Sequence, residues 1–183
     1  HFWRASSDLI VWSQNSQRTM VPVNVGEAWV QGLELSAALE LLGVLDLDTS
    51  FTRTTSVNLV PRAAVANNQL PRIPPWEAWV GTSVHHRELV RVGHGWSYTA
   101  PNYWDATNYY QTPARSLHDA FVRVSPVPAV SFEGAVRNLG DRRVEVVDRD
   151  PLDETSGARR VQALTDFTGY PLPGRTFLFT LTW

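Results

Sequence analysis

Apolar and polar side chains alternate along much of the chain, most regularly at its carboxyl end. There Phe177, Phe179, Leu181 and Trp183 alternate with Thr176, Leu178, Thr180 and Thr182. A period of two indicates a strand with one apolar and one polar face. In a soluble protein such a last strand would be paired, covered or blunted with charge. In an outer-membrane barrel it closes the sheet and places its aromatic side chain at the membrane boundary, so we favour a barrel.

The same alternation predicts eight strands, separated by polar or proline-rich connections. The predicted strands are residues 1–12, 29–41, 44–58, 76–85, 89–99, 117–125, 129–138 and 175–183. A connection of moderate length at 13–22 and long connections at 59–75, 100–113 and 140–173 alternate with short turns around Gly43, at 86–88 and at 126–128. Outer-membrane barrels have short periplasmic turns and long extracellular loops. The pattern therefore predicts an all-β, antiparallel up-and-down transmembrane β-barrel with its carboxyl end on the periplasmic side.

The composition of the chain argues against several classes of function and of binding site. The net charge is −2 and there is no basic tract, which argues against nucleic-acid binding. With no cysteine, the chain forms no disulfides and no thiolate metal sites. No apolar run approaches the ~20 residues of a membrane-spanning helix, so a membrane location requires a barrel. The chain begins at His1 without a signal-peptide pattern, and we expect a mature form or a piece of a longer protein.

Several stretches resemble the carboxyl-terminal part of TonB-dependent outer-membrane receptors. Asn24-x-Gly26-x-Ala28-x-x-x-Gly32-x-Glu34 resembles a recurrent strand opening, and Leu70-Pro-Arg-Ile-Pro-Pro75 a run that leads into a later strand. Asn138-Leu-Gly-Asp141 resembles the end of the penultimate strand, and Tyr170-Pro-Leu-Pro-Gly-Arg-Thr-Phe177 the start of the last one. The order and spacing of these motifs cover nearly the whole chain.

The resemblance implies that residues 1–183 are the carboxyl-terminal portion of a plugged barrel of about 22 strands, with the plug domain absent. It implies uptake of a scarce ligand, an iron–siderophore complex or cobalamin, across the bacterial outer membrane. The implied partners are outer-membrane lipid, the barrel-assembly machinery through the last strand, and TonB only through the missing plug. Two alternatives stay open: a self-contained eight-stranded outer-membrane barrel with a structural or adhesive role, and a soluble, aromatic-rich carbohydrate-binding β-sandwich.

Aromatic residues supply the candidate sites. On the connection at 100–113, Tyr103, Trp104, Tyr109 and Tyr110 could stack on a flat ligand such as a catechol or a corrin ring. The other reading of this cluster is an aromatic belt at the membrane surface, to which we assign Trp96, Tyr98, Phe177 and Trp183.

The titratable clusters favour structural readings, so we expect no catalytic residue, metal or cofactor. His85 and His86 are adjacent on a strand and face opposite sides. His118, Asp119 and Ser83 lack a nucleophile elbow and an oxyanion hole. We expect an acidic wall inside the barrel, Glu34, Glu40, Asp46 and Asp48, to pair with Arg91, Arg123 and Arg137. The last connection contains Asp148, Asp150, Asp153 and Glu154, which could attract calcium, but nearby Arg149 and Arg159 favour a solvated loop.

Overall fold

The computed structural model describes residues 1–7, 10–14, 19–24, 27–60, 64–109, 111–147, 160–163 and 172–183. Within them the chain forms β-strands, namely β1 Phe2–Ser7, β2 Ile10–Gln14, β3 Met20–Asn24, β4 Glu27–Leu41, β5 Leu45–Asn58, β6 Trp76–His86, β7 Val90–Thr99, β8 Asn102–Tyr103, β9 Gln111–Thr112, β10 Arg115–Val127, β11 Val130–Arg137, β12 Val144–Val147, β13 Arg160–Ala163 and β14 Thr176–Thr182. The described part of the chain contains no helix that is long and apolar enough to cross a membrane.

Eight strands form one antiparallel sheet in the order β1-β4-β5-β6-β7-β10-β11-β14. Three two-stranded pairs lie outside it: β2 with β3, β8 with β9, and β12 with β13. The predicted all-β antiparallel sheet of eight strands is therefore confirmed. Each strand of the large sheet pairs with the next one along the chain, which is an up-and-down arrangement. Among the described residues, β1 and β14 do not pair with each other, so the sheet is open.

The strand register divides the side chains of the sheet between two faces. Val92, for example, lies opposite Val84 on β6 and Val122 on β10. The face that contains them, the apolar face, exposes Leu33, Leu35, Leu39, Leu41, Phe51, Val84, Val92, Val122, Val124, Phe132, Phe177, Phe179 and Leu181. Serine, threonine, glutamate, aspartate and arginine make up most of the other face, the polar face. A sheet that exposes large apolar side chains along one whole face fits a lipid-facing wall.

The connections within the large sheet alternate in length, as predicted. Long segments join β1 to β4, β5 to β6, β7 to β10 and β11 to β14, whereas three-residue or shorter turns join the remaining neighbours. Positive backbone φ angles of Leu42, Gly43 and Arg87 close two of the short turns. The predicted turn at 86–88 is shifted by one residue, because His86 still pairs with Val90.

Other predicted boundaries were wrong. The single strand predicted over 1–12 is two strands, β1 and β2, and β2 turns away to pair with β3, which includes Pro22. The turn predicted at 126–128 is strand up to Val127, with a register shift between Val124 and Val127. The long connections predicted as loops contain the pairs β8–β9 and β12–β13. Short polar hairpins of this kind lack the sustained alternation by which a strand is recognised.

Candidate functional site

Two of the long connections, residues 64–75 and 100–109, bind each other and are called here the loop pair. The Asn108 side chain donates to the Gln69 carbonyl at 2.9 Å and accepts from the Gln69 amide at 2.8 Å. Asn68 Nδ2 donates to the Ala106 carbonyl at 2.9 Å. These bonds join segments nearly forty residues apart in sequence, so the two connections form one structural unit.

The sequence of the loop pair suits these tight turns. Asn67 and Asn108 have φ angles of 62° and 57°, and asparagine tolerates this left-handed region better than most residues. Asp105 Oδ2 accepts from the backbone N–H groups of Thr107 and Tyr109 at 3.1 and 3.2 Å, and from the Thr107 hydroxyl. Asp105 thereby holds the aromatic segment in its turn.

Leu70 anchors the loop pair to the sheet. Its side chain is only 1% exposed, and its amide donates to Ser56 Oγ of β5 at 3.2 Å. Two residues on, the Arg72 amide donates to the Tyr103 carbonyl at 2.7 Å. The Arg72 guanidinium lies 4.9 Å from the centroid of the Trp104 ring, which is a cation–π contact. The loop pair therefore has its own small packed interior.

The candidate ligand-binding aromatic residues differ in how much of each side chain is exposed. Tyr103 and Trp104 are half-buried, and Trp104 Nε1 is buried without a hydrogen-bond partner among the described residues. Tyr109 is 44% exposed. Tyr110 lies outside the described residues. The structure therefore places three of the four candidates on the loop pair, with Trp104 packed against Arg72 and Tyr109 presented to the surroundings.

The residues assigned to the membrane belt lie on or beside the apolar face. Tyr98 stacks on Trp76 of β6 with ring centroids 4.3 Å apart, and Trp96 lies at 6.1 Å from Tyr98. Trp96 Nε1 donates to Ser116 Oγ at 2.9 Å. Phe177 is 61% exposed and Trp183 87% exposed. Trp76 belongs to the same aromatic stack but was not among the predicted belt residues. It lies on the same face of β6 as the apolar side chains Ala78, Val80 and Val84.

On the polar face, Asp46 organises a charged network across β5, β6 and β7. Asp46 Oδ2 accepts from Arg91 Nη2 at 2.6 Å and from Ser83 Oγ at 3.0 Å, and His85 Nδ1 lies 3.4 Å away. Arg91 Nε also donates to Ser83 Oγ at 2.9 Å. The predicted pairing of the acidic wall with Arg91 is thus confirmed. The predicted pairing with Arg123 is wrong.

Arg123 binds a closer carboxylate, Glu133, which lies directly opposite it on β11. Arg123 Nε and Nη2 both reach Glu133 Oε2, at 2.9 and 2.6 Å. Arg137, the third basic residue in that prediction, is exposed on the same face and makes no ion pair within the described part of the chain.

The polar face also contains a recess of about 400 Å³, in which Trp79 and Phe121 are the aromatic lining residues. Both rings lie over glycines, since a methyl group at Gly81 would overlap Trp79 and one at Gly93 would overlap Phe121. Phe2 covers Gly32 in the same way. These inward aromatics were not predicted from the sequence. The sequence does contain a pattern that could have identified them. Each aromatic residue stands at a position where the alternation otherwise places polar side chains, and a glycine lies opposite it or two positions along the strand.

Two of the remaining titratable pairs, His85–His86 and His118–Asp119, are each divided between the two faces of the sheet. His85 and His86 lie on opposite faces, as predicted, because His85 is opposite Arg91 and His86 opposite Val90. His118 is on the apolar face, whereas its neighbour Asp119 is on the polar face and accepts from the Asn138 amide. No group of three or more His, Cys, Asp or Glu residues in the described ranges could hold a metal ion. The acidic residues 148, 150, 153 and 154 lie outside the described residues.

The ends of the last long connection are held together by Asp141. Its Oδ1 accepts from the Arg175 amide at 2.7 Å and from Arg143 Nε at 2.9 Å, and its Oδ2 accepts from Arg143 Nη2 at 2.8 Å. The hydrogen bonds from the Arg143 side chain and from the Arg175 backbone lower the pKa of Asp141 to about 2. The same pair raises the pKa of Arg143 above its usual value.

A family profile described as the β-barrel of TonB-dependent receptors matches residues 2–139. The chain belongs to this family. Its open antiparallel sheet is accordingly part of a β-barrel wall in the outer membrane, with the apolar face toward lipid and the polar face toward the lumen. The members of the family are receptors that bind and transport small molecules, and the family match does not favour a soluble sandwich or an independent small barrel.

Individual relatives agree with the family match. The chain is 28% identical over 131 residues to the probable TonB-dependent siderophore receptor PiuA of Acinetobacter baumannii, covering 66% of this chain and 18% of that protein. The solved structure of the copper transporter OprC superposes with a TM-score of 0.69 at 21% identity, covering 98% of this chain and 27% of OprC. The ferric yersiniabactin uptake receptor FyuA of Yersinia pestis gives a TM-score of 0.67 at 18% identity, covering 97% and 25%. These two structures support the fold.

Proposed function

We propose that the chain is the carboxyl-terminal barrel portion of a receptor that takes up an iron–siderophore complex across the outer membrane. The observation that carries the proposal is the 28% identity to a probable siderophore receptor. Residues 1–183 form one continuous portion of the barrel wall in this proposal. The plug, and through it the contact with TonB, belongs to a part of the receptor outside these residues. The role is binding and transport rather than catalysis.

The loop pair forms part of the outer rim where the ligand is first bound. Tyr103, Trp104, Tyr109 and Tyr110 supply aromatic surface for a flat chelator. Tyr109 makes the direct contact, because it is the most exposed of the described candidates, whereas Trp104 is half-buried and packed against Arg72. The hydrogen bonds between Asn108 and Gln69 hold this surface in place before the ligand arrives, which lowers the entropy cost of binding.

The belt and the last strand serve membrane insertion. Trp96, Tyr98, Phe177 and Trp183 contact the lipid at the two membrane boundaries, where amphipathic aromatic rings are favoured. Among the described residues, β14 pairs with β11. The outward apolar side chains Phe177, Phe179 and Leu181 make β14 the segment that the barrel-assembly machinery binds in this proposal.

Uptake by the complete receptor that contains this chain tests the proposal. The complete receptor, produced in a siderophore-deficient host, should restore growth on ferric siderophore complexes under iron limitation. Tyr109→Ala should weaken the binding of the same complex by about tenfold, which corresponds to about 1.4 kcal/mol. Phe132→Ala, an exposed aromatic on the lipid face, is the matched control and should bind normally. Uptake of cobalamin without any ferric complex would contradict the siderophore assignment.

A further inference from the structure

Arg53 of β5 is an exposed arginine on the apolar face of the sheet. In the register it lies opposite Leu33 on β4 and Trp76 on β6, and both of these side chains belong to the apolar face. Among the described residues Arg53 forms no ion pair and no side-chain hydrogen bond. A charged side chain on a lipid-facing surface is costly unless an anion or water lies within its reach. Arg53 should therefore have a partner outside the described part of the chain.

Arg53 lies at the outer boundary of the apolar face. On β5 the outward side chains change from apolar to polar between Phe51 and Arg53, and on β4 the same change occurs between Leu33 and Gln31. Leu45, the first residue of β5, follows a short turn, which places it on the periplasmic side. Arg53 lies eight residues further along β5, or about 26 Å at ~3.3 Å per residue. On a strand tilted by ~40° this distance spans most of an apolar band ~25 Å tall.

The neighbours of Arg53 suit a polar lipid headgroup. Trp76, directly opposite, stacks on Tyr98 with ring centroids 4.3 Å apart, so the guanidinium is level with the aromatic belt. Gln31 and Thr55 lie opposite each other one step further outward on the same face and offer an amide and a hydroxyl. None of the described side chains next to Arg53 on this face is acidic. The positive charge is thus left for an external anion.

We propose that Arg53 binds a phosphate group of lipid A, the phosphorylated glycolipid of the outer leaflet. A guanidinium binds phosphate through two parallel hydrogen bonds. A phosphate monoester, as in lipid A, carries a charge of about −1.5 to −2, more than the phosphodiester of a glycerophospholipid. The acyl chains of the same lipid lie along Leu33, Leu35 and Phe51, which are 40%, 56% and 36% exposed. One lipid molecule therefore neutralises the arginine and covers the apolar surface beneath it.

Native mass spectrometry of the complete receptor, delipidated in detergent and then mixed with lipid A, tests this site. At a lipid concentration that just saturates the wild type, Arg53→Gln should bind one fewer lipid A per receptor. Arg137→Gln is the matched control, because Arg137 is also exposed and without an ion pair in the described ranges, but lies on the polar face. It should retain the wild-type stoichiometry. Equal stoichiometry in the wild type and Arg53→Gln would overturn the proposal.

A second measurement uses the wild type alone and does not depend on the folding of variants. Lipid A from which the phosphates have been removed should bind with one fewer molecule per receptor than intact lipid A. Excess inorganic phosphate should not displace intact lipid A, because it lacks acyl chains to contact the apolar face. Equal binding of the two lipids, or displacement by inorganic phosphate, would overturn the proposal.

The source of the phosphate is distinguished by the same spectra. Phosphatidylglycerol should not occupy the site in place of lipid A, and binding of phosphatidylglycerol that is lost in Arg53→Gln, without such a loss for lipid A, would contradict the assignment to the outer leaflet. This site and the siderophore assignment fail independently, because the spectra are recorded with lipids and the uptake experiment uses ferric chelates.

Discussion

Asp141 accepts a hydrogen bond of 2.7 Å from the backbone amide of Arg175, thirty-four residues further along the chain. A second hydrogen bond joins the same two segments, because Arg175 Nη2 donates to the Leu139 carbonyl at 2.6 Å. The last outer connection leaves the sheet at one of these positions and returns to it at the other. Two of the motifs by which the sequence resembles TonB-dependent receptors, Asn138–Asp141 and the run that contains Arg175, therefore contact each other. They hold the base of the last loop closed.

The Asp141 carboxyl should titrate at about pH 2, because hydrogen bonds from Arg143 and from the Arg175 amide stabilise its charged form. An unperturbed aspartate titrates near ~3.9. Since the folded pKa is the lower one, the contribution of Asp141 to stability is complete above about pH 4 and is lost as the pH falls through about 2. Carbon-13 NMR of labelled aspartate side chains would measure the midpoint, with Asp141→Asn to assign the signal. A midpoint near 4 would contradict the closed loop base.

Asn138 should be the most sensitive residue of the same turn. It is buried, its φ is 51°, and its side chain binds the Arg142 backbone and the Pro173 carbonyl through bonds of 2.9–3.1 Å. We expect Asn138→Ala to lower the free energy of unfolding by ~1–3 kcal/mol, because it leaves buried polar groups without partners. Urea unfolding of the refolded protein in detergent micelles, followed by tryptophan fluorescence, would measure the loss.

Two further variants separate the causes of that loss. Asn138→Gly removes the hydrogen bonds but tolerates the positive φ, so its cost should lie between wild type and alanine. Asn67→Ala is the matched control, because Asn67 has a φ of 62° and an exposed side chain without a hydrogen bond in the described part of the structure. It should cost less than Asn138→Ala. Equal losses for the two alanine variants would show that the side-chain bonds of Asn138 contribute nothing.

The sequence was sufficient to predict the sheet but not the contacts between its connections. Alternation in Leu33–Leu41 and in Phe177–Leu181 is periodic over many residues, and the register then follows from short turns that allow little freedom. The partners of Asn108 and Asp141 are distant in sequence and are set by loop conformations that leave no periodic signal. The predicted pairing of Arg123 with the acidic wall failed for a related reason, whereas that of Arg91 was confirmed. Arg123 takes Glu133 because that carboxylate is directly opposite, and this depends on the register shift near Val127.

The loop pair should open when Asn108 is replaced. Asn108→Ala removes the bonds of 2.8 and 2.9 Å to Gln69 and adds strain at a φ of 57°. We expect residues 64–75 and 100–109 to become cleavable by trypsin at Arg72 on intact cells at least tenfold faster than in wild type. The physical reason is that proteases cut chain segments that unfold locally.

The control for this experiment is Gln111→Ala, an exposed position in β9 on the same connection. It should leave the cleavage rate unchanged, because the Gln69–Asn108 bonds remain intact. If Asn108→Ala is cleaved no faster than Gln111→Ala, the two connections are not held together by these bonds, and the proposed preorganisation of Tyr109 fails with them.

The last prediction concerns Gly93 and the inward-facing ring of Phe121. Gly93 lies opposite Phe121 on the polar face, and a methyl group there would overlap the phenyl ring. Gly93→Ala should therefore destabilise the barrel by ~1–3 kcal/mol through overpacking, despite the better strand propensity of alanine. The measurement is the fraction of receptor that migrates as folded barrel in unheated gels after a graded heat challenge.

Gly134 provides the control for that steric argument. A methyl group at Gly134 would lie 3.7 Å from the nearest atom of Phe179, which is an ordinary contact. Gly134→Ala should accordingly be neutral or slightly stabilising. The double variant Gly93→Ala with Phe121→Ala should recover part of the loss, because the ring that causes the overlap is gone. If Gly93→Ala is as stable as Gly134→Ala, the Phe121 ring is free to move aside, and the glycine is not required for the ring to lie flat on the lumen wall.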